Sequence, residues 1–329
     1  MWAESLAIRG TVCDDFHPGT REGFILVSTA PPKSNGARRT HGAGRADGAP
    51  RTDGAPRRAE LADFLRTRRQ AIRPEEVGLP GGGRRRTPGL RREEVSQLAG
   101  VGTTWYTWLE QGRDVRASAS VLEAIGDALR LTPAERAHLV LLGRGEQVPP
   151  VKGPREKVHP TVRKIVEGLD PNPACITGRR YDFLVWNDAH SAVFGDPGEM
   201  PDGRRNLLWS IFTDPARRTL HADWNKGARR LVARFRAQAA RHVGDPDFED
   251  LISALQHASP EFREWWGLHE VAGSGVGRKV LNHPKVGKLV FEHAVFMPQE
   301  SPEHRFVVYS AVPEAKTPQK LQRLLGDRR

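Results

Sequence analysis

The chain has 329 residues, 38% of them hydrophobic, and a formal net charge of +11 from 51 Lys and Arg against 40 Asp and Glu. That length accommodates about two domains, and 8 Trp and 12 Phe exclude a wholly disordered chain. Its apolar runs are far shorter than the ~20 residues that span a bilayer, no signal-peptide pattern opens it, and its two Cys form neither a disulfide framework nor a metal spacing. These features predict a soluble protein of the reducing cytoplasm, with no membrane partner.

The first 58 residues carry a weakly basic, low-complexity sequence. They contain nine Lys and Arg against six Asp and Glu, with tandem hexapeptides at 45–50 and 51–56. Copies this short, rich in Gly, Ala and Pro, do not build a solenoid. We predict a disordered extension over residues 1–58, a loose segment or one that precedes the native start. A basic arm that contacts DNA is the weaker alternative at this charge.

Residues 59–145 predict an all-α bundle of about five helices. Leu61, Phe64 and Leu65 recur at helical spacing before Pro74, and Gly100 stands where a helix would end. Further helices are predicted over 103–111, 119–131 and 133–142, the last with Pro in its first turn. A bundle of this size is an ordinary small domain.

A linker over residues 146–158, rich in Pro and Gly, precedes a second predicted domain over 159–329. This domain opens with a helix over 160–169 and strands over 174–177 and 181–186. A helical region follows, with its clearest helix over 223–243 and further pieces over 251–255 and 261–268. Strands over 278–281, 287–296 and 304–311 and a short helix close the chain. This order predicts an α+β domain with an antiparallel sheet covered by helices.

The strongest motif is a helix-turn-helix over residues 98–112. A small residue and Gly100 end the first helix, Val101 is the apolar residue of the turn, and Tyr106 and Leu109 anchor the second helix inward. The N-terminal residues of such a second helix reach base edges in the major groove. The predicted DNA contacts on this helix are Thr103, Thr104, Trp105, Thr107 and Trp108. For Trp105, burial against neighbouring helices is an equally good interpretation.

Arginines cluster around this helix. Between positions 66 and 92, nine Arg face only Glu75 and Glu76, a balance typical of a surface that contacts phosphates. The alternative is an ordinary solvated basic face. The predicted phosphate contacts are Arg84, Arg85, Arg86, Arg91 and Arg113.

Residues 60–329 resemble the MmyB-like regulators of bacteria, in which an XRE-type helix-turn-helix domain is joined to a PAS-like ligand-binding domain. In the first domain the resemblance rests on the segments 82–95, 98–101 and 106–114. In the second it rests on the segments 179–180, 184–187, 194–196, 205–208, 214–217, 259–263, 283–284 and 307–309. The resemblance implies a lambda-repressor-like five-helix bundle, a PAS-like α+β domain and a DNA-binding regulator.

Two residues depart from the family pattern. Gly102 replaces a small hydroxyl residue at the helix N-cap, at a cost of only a few tenths of a kcal/mol. Trp108 replaces a polar or basic residue, so the DNA-binding role transfers to this chain while the operator sequence does not.

The resemblance also implies a pocket for a small, largely apolar, fatty-acid-like ligand. Aromatic side chains with a few polar groups are the usual lining of such a pocket, although each aromatic residue by itself is more often plain core. The predicted ligand-binding residues are Trp186, Asn187, Phe194, Asn206, Phe212, Trp224, Phe235, Phe262, His283 and Tyr309.

Enzyme motifs are incomplete. The segment 269–273 begins like a zinc-protease helix but has Gly273 where the second His is required, and 273–277 matches a phosphate-binding loop only in its glycines. No nucleophile elbow occurs. We therefore predict no catalytic residue, no metal and no cofactor.

The sequence predicts a dimeric transcriptional regulator that binds double-stranded DNA and senses a small apolar ligand. Two alternatives stay open at this stage. One is a lipid- or acyl-metabolising enzyme fused to a DNA-binding domain. The other is a constitutive DNA-binding dimer without a ligand.

Overall fold

The structure is a computed structural model that describes residues 54–80, 89–145, 156–201, 203–273, 275–299 and 301–326. Most of the extension predicted over residues 1–58, most of the predicted linker, and Arg84, Arg85 and Arg86 lie outside these ranges. No helix within the described ranges is both long and apolar enough to cross a membrane.

The N-terminal part is a helical bundle, as predicted. Its helices are α1 (Ala55–Ala71), α2 (Arg92–Ala99), α3 (Thr103–Glu110), α4 (Ala119–Ala128) and α5 (Pro133–Arg144), with a 3₁₀ turn at Pro74–Val77. Helix α1 begins four residues before the predicted domain boundary, with Pro56 in its first turn, a position that tolerates proline because the amide there has no helical partner. Phe64, Leu65, Leu90 and Tyr106 form the centre of the buried core.

The C-terminal part combines helices with a sheet. Its helices are α6 (Pro160–Glu167), α7 (Asp188–Phe194), α8 (Leu207–Thr213), α9 (Pro215–Leu220), α10 (Trp224–Ala239), α11 (Pro246–Ala258), α12 (Pro260–Gly267) and α13 (Thr317–Gly326). Its strands are β1 (Ala174–Thr177), β2 (Phe183–Trp186), β3 (Gly277–His283), β4 (Gly287–Phe296) and β5 (Arg305–Ala311). The predicted long helix ends at Ala239 and passes into a 3₁₀ turn at Ala240–His242.

The five strands form one antiparallel sheet in the order β2-β1-β5-β4-β3. One face packs against α6, around Val166, Ile176 and Val185. The opposite face, which we call the inner face, packs against α7, α9 and α13, around Leu281 and Phe291. Helices α8 and α10 to α12 form a separate aromatic core. The structure confirms the predicted fold class, a helical helix-turn-helix region followed by an α+β domain with an antiparallel sheet.

Candidate functional site

The turn between α2 and α3 has the geometry that its sequence predicts. Gly100 ends α2 in the left-handed conformation, with φ +65°, which glycine adopts without a Cβ penalty. Gly102 is the N-cap of α3 and has no side chain to cap it. Tyr106 and Leu109 are buried in the bundle core. Helix α3 is therefore held from one side, and its N-terminal turn points away from the core.

A buried ion pair fixes the inner end of α3. Glu110, 1% exposed, accepts hydrogen bonds from Arg69 Nε and Nη2 of α1 at 2.6 and 2.7 Å and from Arg92 Nε of α2 at 2.9 Å. Burial by itself raises the pKa of the Glu110 carboxyl, but the hydrogen bonds and charge of Arg69, reinforced by Arg92, hold it below its usual value. One carboxylate thus ties three helices together and sets the orientation of α3.

This finding corrects the interpretation of the arginine cluster as one continuous phosphate-binding face. Five of the six arginines that the structure describes between positions 66 and 92 form ion pairs with carboxylates of the bundle. Arg69 and Arg92 pair with the buried Glu110, and Arg68 pairs with Glu135. Two further pairs are exposed, Arg66 with Asp63 and Arg73 with Glu76. Most of the acidic partners lie outside the 66–92 window, so a charge count within the window does not include them.

The predicted DNA contacts that the structure describes lie on α3 or next to the ends of α2 and α3. Thr103 and Thr104 are exposed, and Thr107 is partly buried. Trp108 is 39% exposed, with the Arg113 guanidinium 5.8 Å from its ring centroid. Trp105 is partly buried and packs against the bundle core, so it combines both interpretations. Arg91, exposed, lies at the start of α2.

The predicted ligand-binding aromatics fall into two groups instead of one. Phe212, Trp224, Phe235 and Phe262 belong to the aromatic core of α8 and α10 to α12, where Phe212 lies 5.6 Å from Trp224 and 5.2 Å from Phe262 between ring centroids. Phe194 and Tyr309, 4.9 Å apart between centroids, lie on the inner face of the sheet. Trp186 is partly buried on β2 and donates to Asp196 at 3.1 Å.

The predicted polar ligand contacts hold backbone in place. Asn187 caps α7 and its Oδ1 also accepts from the Ala174 amide at 2.9 Å. Asn206 caps α8 and donates to the Arg180 carbonyl at 2.7 Å. His283 donates from Nε2 to the Ala192 carbonyl at 3.1 Å. These hydrogen bonds to backbone groups explain why the three polar side chains are buried.

The bundle and the C-terminal domain share a polar contact. Arg236 of α10, 1% exposed, donates to Glu60 of α1 and to the Trp266 carbonyl. Arg68 of α1 donates to the His269 carbonyl on the other side. Burial opposes the charge of Glu60, but its bond to His269 and the charge of Arg236 lower its pKa to about 2. We call Glu60, Arg68, Arg236 and His269 the interdomain latch.

Two clefts flank the interdomain latch. One, of about 850 Å³, is lined by Arg68 and Glu135 from the bundle and by side chains of α10 and α12. The other, of about 220 Å³, lies between Glu60 and Arg236 on one side and Phe248 and Ile252 on the other. Apolar contact is also shared, because Ala240 and Val271 belong to the same buried cluster as the bundle core. The contact between the domains therefore combines a charged centre with apolar flanks.

Comparison with known families assigns both parts. Residues 158–325 match the model of the MmyB-like transcription regulator ligand binding domain, which covers half of the chain. The chain belongs to the MmyB-like transcription regulators. Residues 60–139 of this MmyB-like regulator match a helix-turn-helix domain, and the match contains all of α2 and α3. Among curated proteins, none matches the chain.

Sequence reasoning missed three groups of this MmyB-like regulator. Glu110 was overlooked because its partners are 41 and 18 positions away. Arg236 was overlooked although it lies on the apolar side of α10, four residues from Val232, where a charge indicates a buried partner. Lys279 lies two residues from the buried Leu281 on β3, so it faces inward too. An ionisable residue at a core position was the signal in the last two cases.

Proposed function

We propose that this MmyB-like regulator recognises a specific sequence of double-stranded DNA through α3. The observation that carries this proposal is that the exposed Thr103, Thr104 and Trp108 stand on a helix whose opposite end is fixed by the buried Glu110. A rigidly held helix with a free N-terminal turn fits the major groove. Thr hydroxyls bond base edges, and a Trp ring contacts thymine methyl groups.

The proposed contacts divide between bases and phosphates. Thr103, Thr104, Trp105, Thr107 and Trp108 face the bases. Arg91 and Arg113, both exposed near the ends of the motif, contact phosphates, together with Arg84, Arg85 and Arg86. Each neutralised phosphate releases counterions. We therefore expect Arg85→Ala to reduce, by about one, the slope of the logarithm of the DNA-binding constant against the logarithm of the salt concentration.

Two copies of the regulator act together in this proposal. Two-fold helix-turn-helix proteins place their recognition helices about one DNA turn, ~34–36 Å, apart. The operator is then a palindrome with that spacing. The protein acts in the cytoplasm, where it reaches DNA, and is not an enzyme.

The C-terminal domain binds the regulatory ligand, which we propose is small, largely apolar and fatty-acid-like. The family match of residues 158–325 supports a ligand-binding role. The ten ligand contacts predicted from the sequence do not lie at one place, so we retain only the inner-face pair, Phe194 and Tyr309, as proposed ligand contacts. Tyr309 is only partly buried there beside Phe194.

The interdomain latch transmits ligand binding to DNA in this proposal. A ligand changes operator affinity only if it binds the DNA-competent and DNA-incompetent arrangements with different affinity. Helix α10 carries Arg236, and α1 carries both Glu60 and Arg69, the partner of Glu110. A displacement of α10 is therefore transmitted to α3 through two ion pairs, Arg236–Glu60 and Arg69–Glu110.

In vitro selection of DNA by the full-length protein tests the proposal. We expect enrichment of a palindrome that Thr103→Ala and Thr104→Ala variants no longer select. Failure to enrich any sequence over random DNA would contradict the assignment. Mass spectrometry of small molecules released from the native protein identifies the ligand independently.

A further inference from the structure

The positive charge of the first 58 residues is confined to their second half. Residues 33–58 carry seven Lys and Arg against two Asp, whereas residues 1–32 carry two Arg against four Asp and Glu. The net charge of the whole segment averages the two halves and conceals the basic one. A basic stretch next to a helix-turn-helix is typical of N-terminal segments that bind nucleic acid.

The end of this basic stretch lies against the loop that follows α3. Helix α1 begins at Ala55, and Arg58 lies in its first turns. The Arg58 guanidinium is 3.9 Å from the Asp114 carboxylate. Gly112 of the same loop has φ +71°, and a Cβ built on it would lie 3.2 Å from the Arg58 carbonyl oxygen. The backbone at the start of α1 is therefore in close contact with residues 112–114.

The same loop is in contact with the proposed DNA-reading surface. Arg113 lies between Gly112 and Asp114 in the chain, and its guanidinium is 5.8 Å from the centroid of the Trp108 ring. Trp108 is one of the exposed residues of α3. The chain that precedes α1 therefore leaves the bundle on the side that carries Arg113 and Trp108.

Positive charge dominates this end of the bundle. The start of α1 also lies beside the end of α5, because the Arg57 side chain donates to the Leu142 carbonyl. Asp114 is the one acidic residue of the three segments that meet here, 54–58, 111–118 and 141–145. Its side chain is 84% exposed, so its pairing with Arg58 neutralises little. The same segments contain five arginines: Arg57, Arg58, Arg113, Arg116 and Arg144.

The arginines at the start of α1 act on each other as like charges. Burial lowers the pKa of Arg57, and the charge of Arg58 lowers it further, while the charge of Asp114 opposes this effect. Arginine nevertheless keeps its proton in proteins. A surface of one sign attracts ions of the other sign, and beside α3 those ions are DNA phosphates.

The cations that precede α1 are within reach of DNA bound by α3. A fully extended chain spans at most ~3.6 Å per residue. Arg51, four residues before Ala55, therefore reaches up to about 14 Å from the start of α1, and Arg45, ten residues before it, up to about 36 Å. One turn of DNA measures ~34–36 Å along its axis. The segment is long enough to follow a duplex for about one turn.

We propose that residues 33–58 bind the phosphate backbone of DNA beside the half of the operator that α3 reads. We call residues 33–58 the basic arm. The inference rests on the proposed DNA recognition by α3 and adds a second contact that does not depend on the base sequence. Lys and Arg side chains bind phosphates without reading bases, so the basic arm raises the affinity while α3 selects the operator.

The salt dependence of operator binding by a full-length variant tests the basic arm. Each phosphate contact contributes about 0.9 to the slope of the logarithm of the binding constant against the logarithm of the salt concentration. We expect the arm variant to lose about 3–4 of that slope and about tenfold or more in affinity at 0.1 M salt, measured by fluorescence anisotropy. The arm variant replaces the five cations before α1: Lys33→Gln, Arg38→Gln, Arg39→Gln, Arg45→Gln and Arg51→Gln.

A matched control separates the basic arm from the rest of the segment. The double variant Arg9→Gln, Arg21→Gln removes two charges from the acidic half, residues 1–32, and should keep the wild-type slope and affinity. In vitro selection with the arm variant should enrich the same palindrome as wild type, because the basic arm reads no bases. A different selected sequence would contradict a contact with phosphates alone.

DNA cleavage from a tethered iron chelate locates the basic arm on the duplex. The chelate is attached through Ala46→Cys in a Cys13→Ser background, where the buried Cys175 stays unlabelled. We expect cuts within about one helical turn of the base pairs that α3 contacts. The same chelate attached through Ala7→Cys, in the acidic half, should give no localised cuts.

The contrary outcomes separate the basic arm from the proposed function. An unchanged salt slope in the arm variant, or no localised cuts from position 46, would overturn the basic arm and leave recognition by α3 intact. An equal loss of slope in the Arg9→Gln, Arg21→Gln control would assign the effect to the charge of the whole chain and overturn the basic arm as well. No preference of wild type for any DNA sequence would overturn recognition by α3, and the basic arm beside it.

Discussion

Arg236 of α10 and Glu60 of α1 form an ion pair across the domain boundary, and Arg236 is the bulkiest fully buried side chain in the described part of the chain. The guanidinium also lies 3.9 Å from the centroid of the Trp266 ring. An arginine held by a carboxylate, a carbonyl and an aromatic ring has one favoured position. The interdomain latch therefore joins the two domains in a defined arrangement.

Loss of the carboxylate at Glu60 should loosen that arrangement. Glu60→Gln leaves Arg236 buried with its charge unpaired, and we expect a loss of about 3 kcal/mol in the free energy of unfolding, at the low end for a broken buried pair. Urea unfolding measures the loss. Glu270→Gln, which breaks the exposed pair with Arg229, is the matched control and should cost less than about 1 kcal/mol. Equal losses in both variants would contradict a structural role for the interdomain latch.

Acid should destabilise the protein in two stages, the first at His138, a buried residue of α5, and the second at Glu60 of the interdomain latch. Burial lowers the pKa of His138 to about 4, below the unfolded value of ~6.5, so the unfolded chain gains a proton first as the pH falls. Stability is therefore lost between about pH 6.5 and 4. Glu60, with a folded pKa of about 2, adds a further loss between about pH 4.3 and 2.

Variants separate these two stages in pH-dependent unfolding. Other buried histidines contribute to the first stage. The relevant quantity is therefore the difference in unfolding free energy between wild type and His138→Leu. That difference should change by up to about 1.4 kcal/mol per pH unit between pH 6.5 and 4. A constant difference across this range would show that His138 is not buried in its neutral form.

The buried Glu110 should be essential to the bundle. Glu110→Gln leaves Arg69 buried opposite a neutral amide, and we expect a loss of about 3–5 kcal/mol in unfolding free energy together with loss of operator binding. Glu76→Gln breaks the exposed pair with Arg73 and should match wild type in both assays. A Glu110→Gln protein of wild-type stability would show that α3 is anchored by apolar contacts alone.

The two tryptophans of α3 should separate DNA contact from folding. Trp108 is largely outside the core, so Trp108→Ala should weaken binding to the selected operator about tenfold with little change in unfolding free energy. Trp105 packs on the core, so Trp105→Ala should lower stability by about 2 kcal/mol or more. Fluorescence anisotropy and urea unfolding measure the two effects. Wild-type operator affinity in Trp108→Ala would remove Trp108 from the interface.

Local patterns predicted the parts of the molecule that depend on local structure. The turn at Gly100 and the inward positions of Tyr106 and Leu109 follow from backbone conformation and helical spacing, and the structure confirms them. Strands β1 and β4 also have the predicted bounds, because strand-forming runs and the turn residues that separate them are local features of the sequence. The sequence also predicted Phe235 and Phe262 as ligand-binding residues, but it does not show which elements these side chains contact, and both lie in the aromatic core of α8 and α10 to α12.

Long-range partners were beyond the sequence. Arg69 pairs with Glu110 at a separation of 41 residues, and Arg236 with Glu60 at a separation of 176, so a charge count over positions 66–92 includes Arg69 but not its partner. The two aromatic groups differ in the same way, because Phe194 meets Tyr309 only through the folding of the sheet. Ion pairs over such distances decide which arginines remain for DNA.

Operator affinity with and without ligand is the most direct test of a ligand-controlled DNA-binding protein. Fluorescence anisotropy with the selected operator should show a change of at least about fivefold when saturating dodecanoate is added to the wild-type protein, and Glu60→Gln should bind the ligand but lose most of that change. Dodecanoate that binds the wild-type protein in calorimetry yet leaves its operator affinity unchanged would contradict the coupling between the two domains.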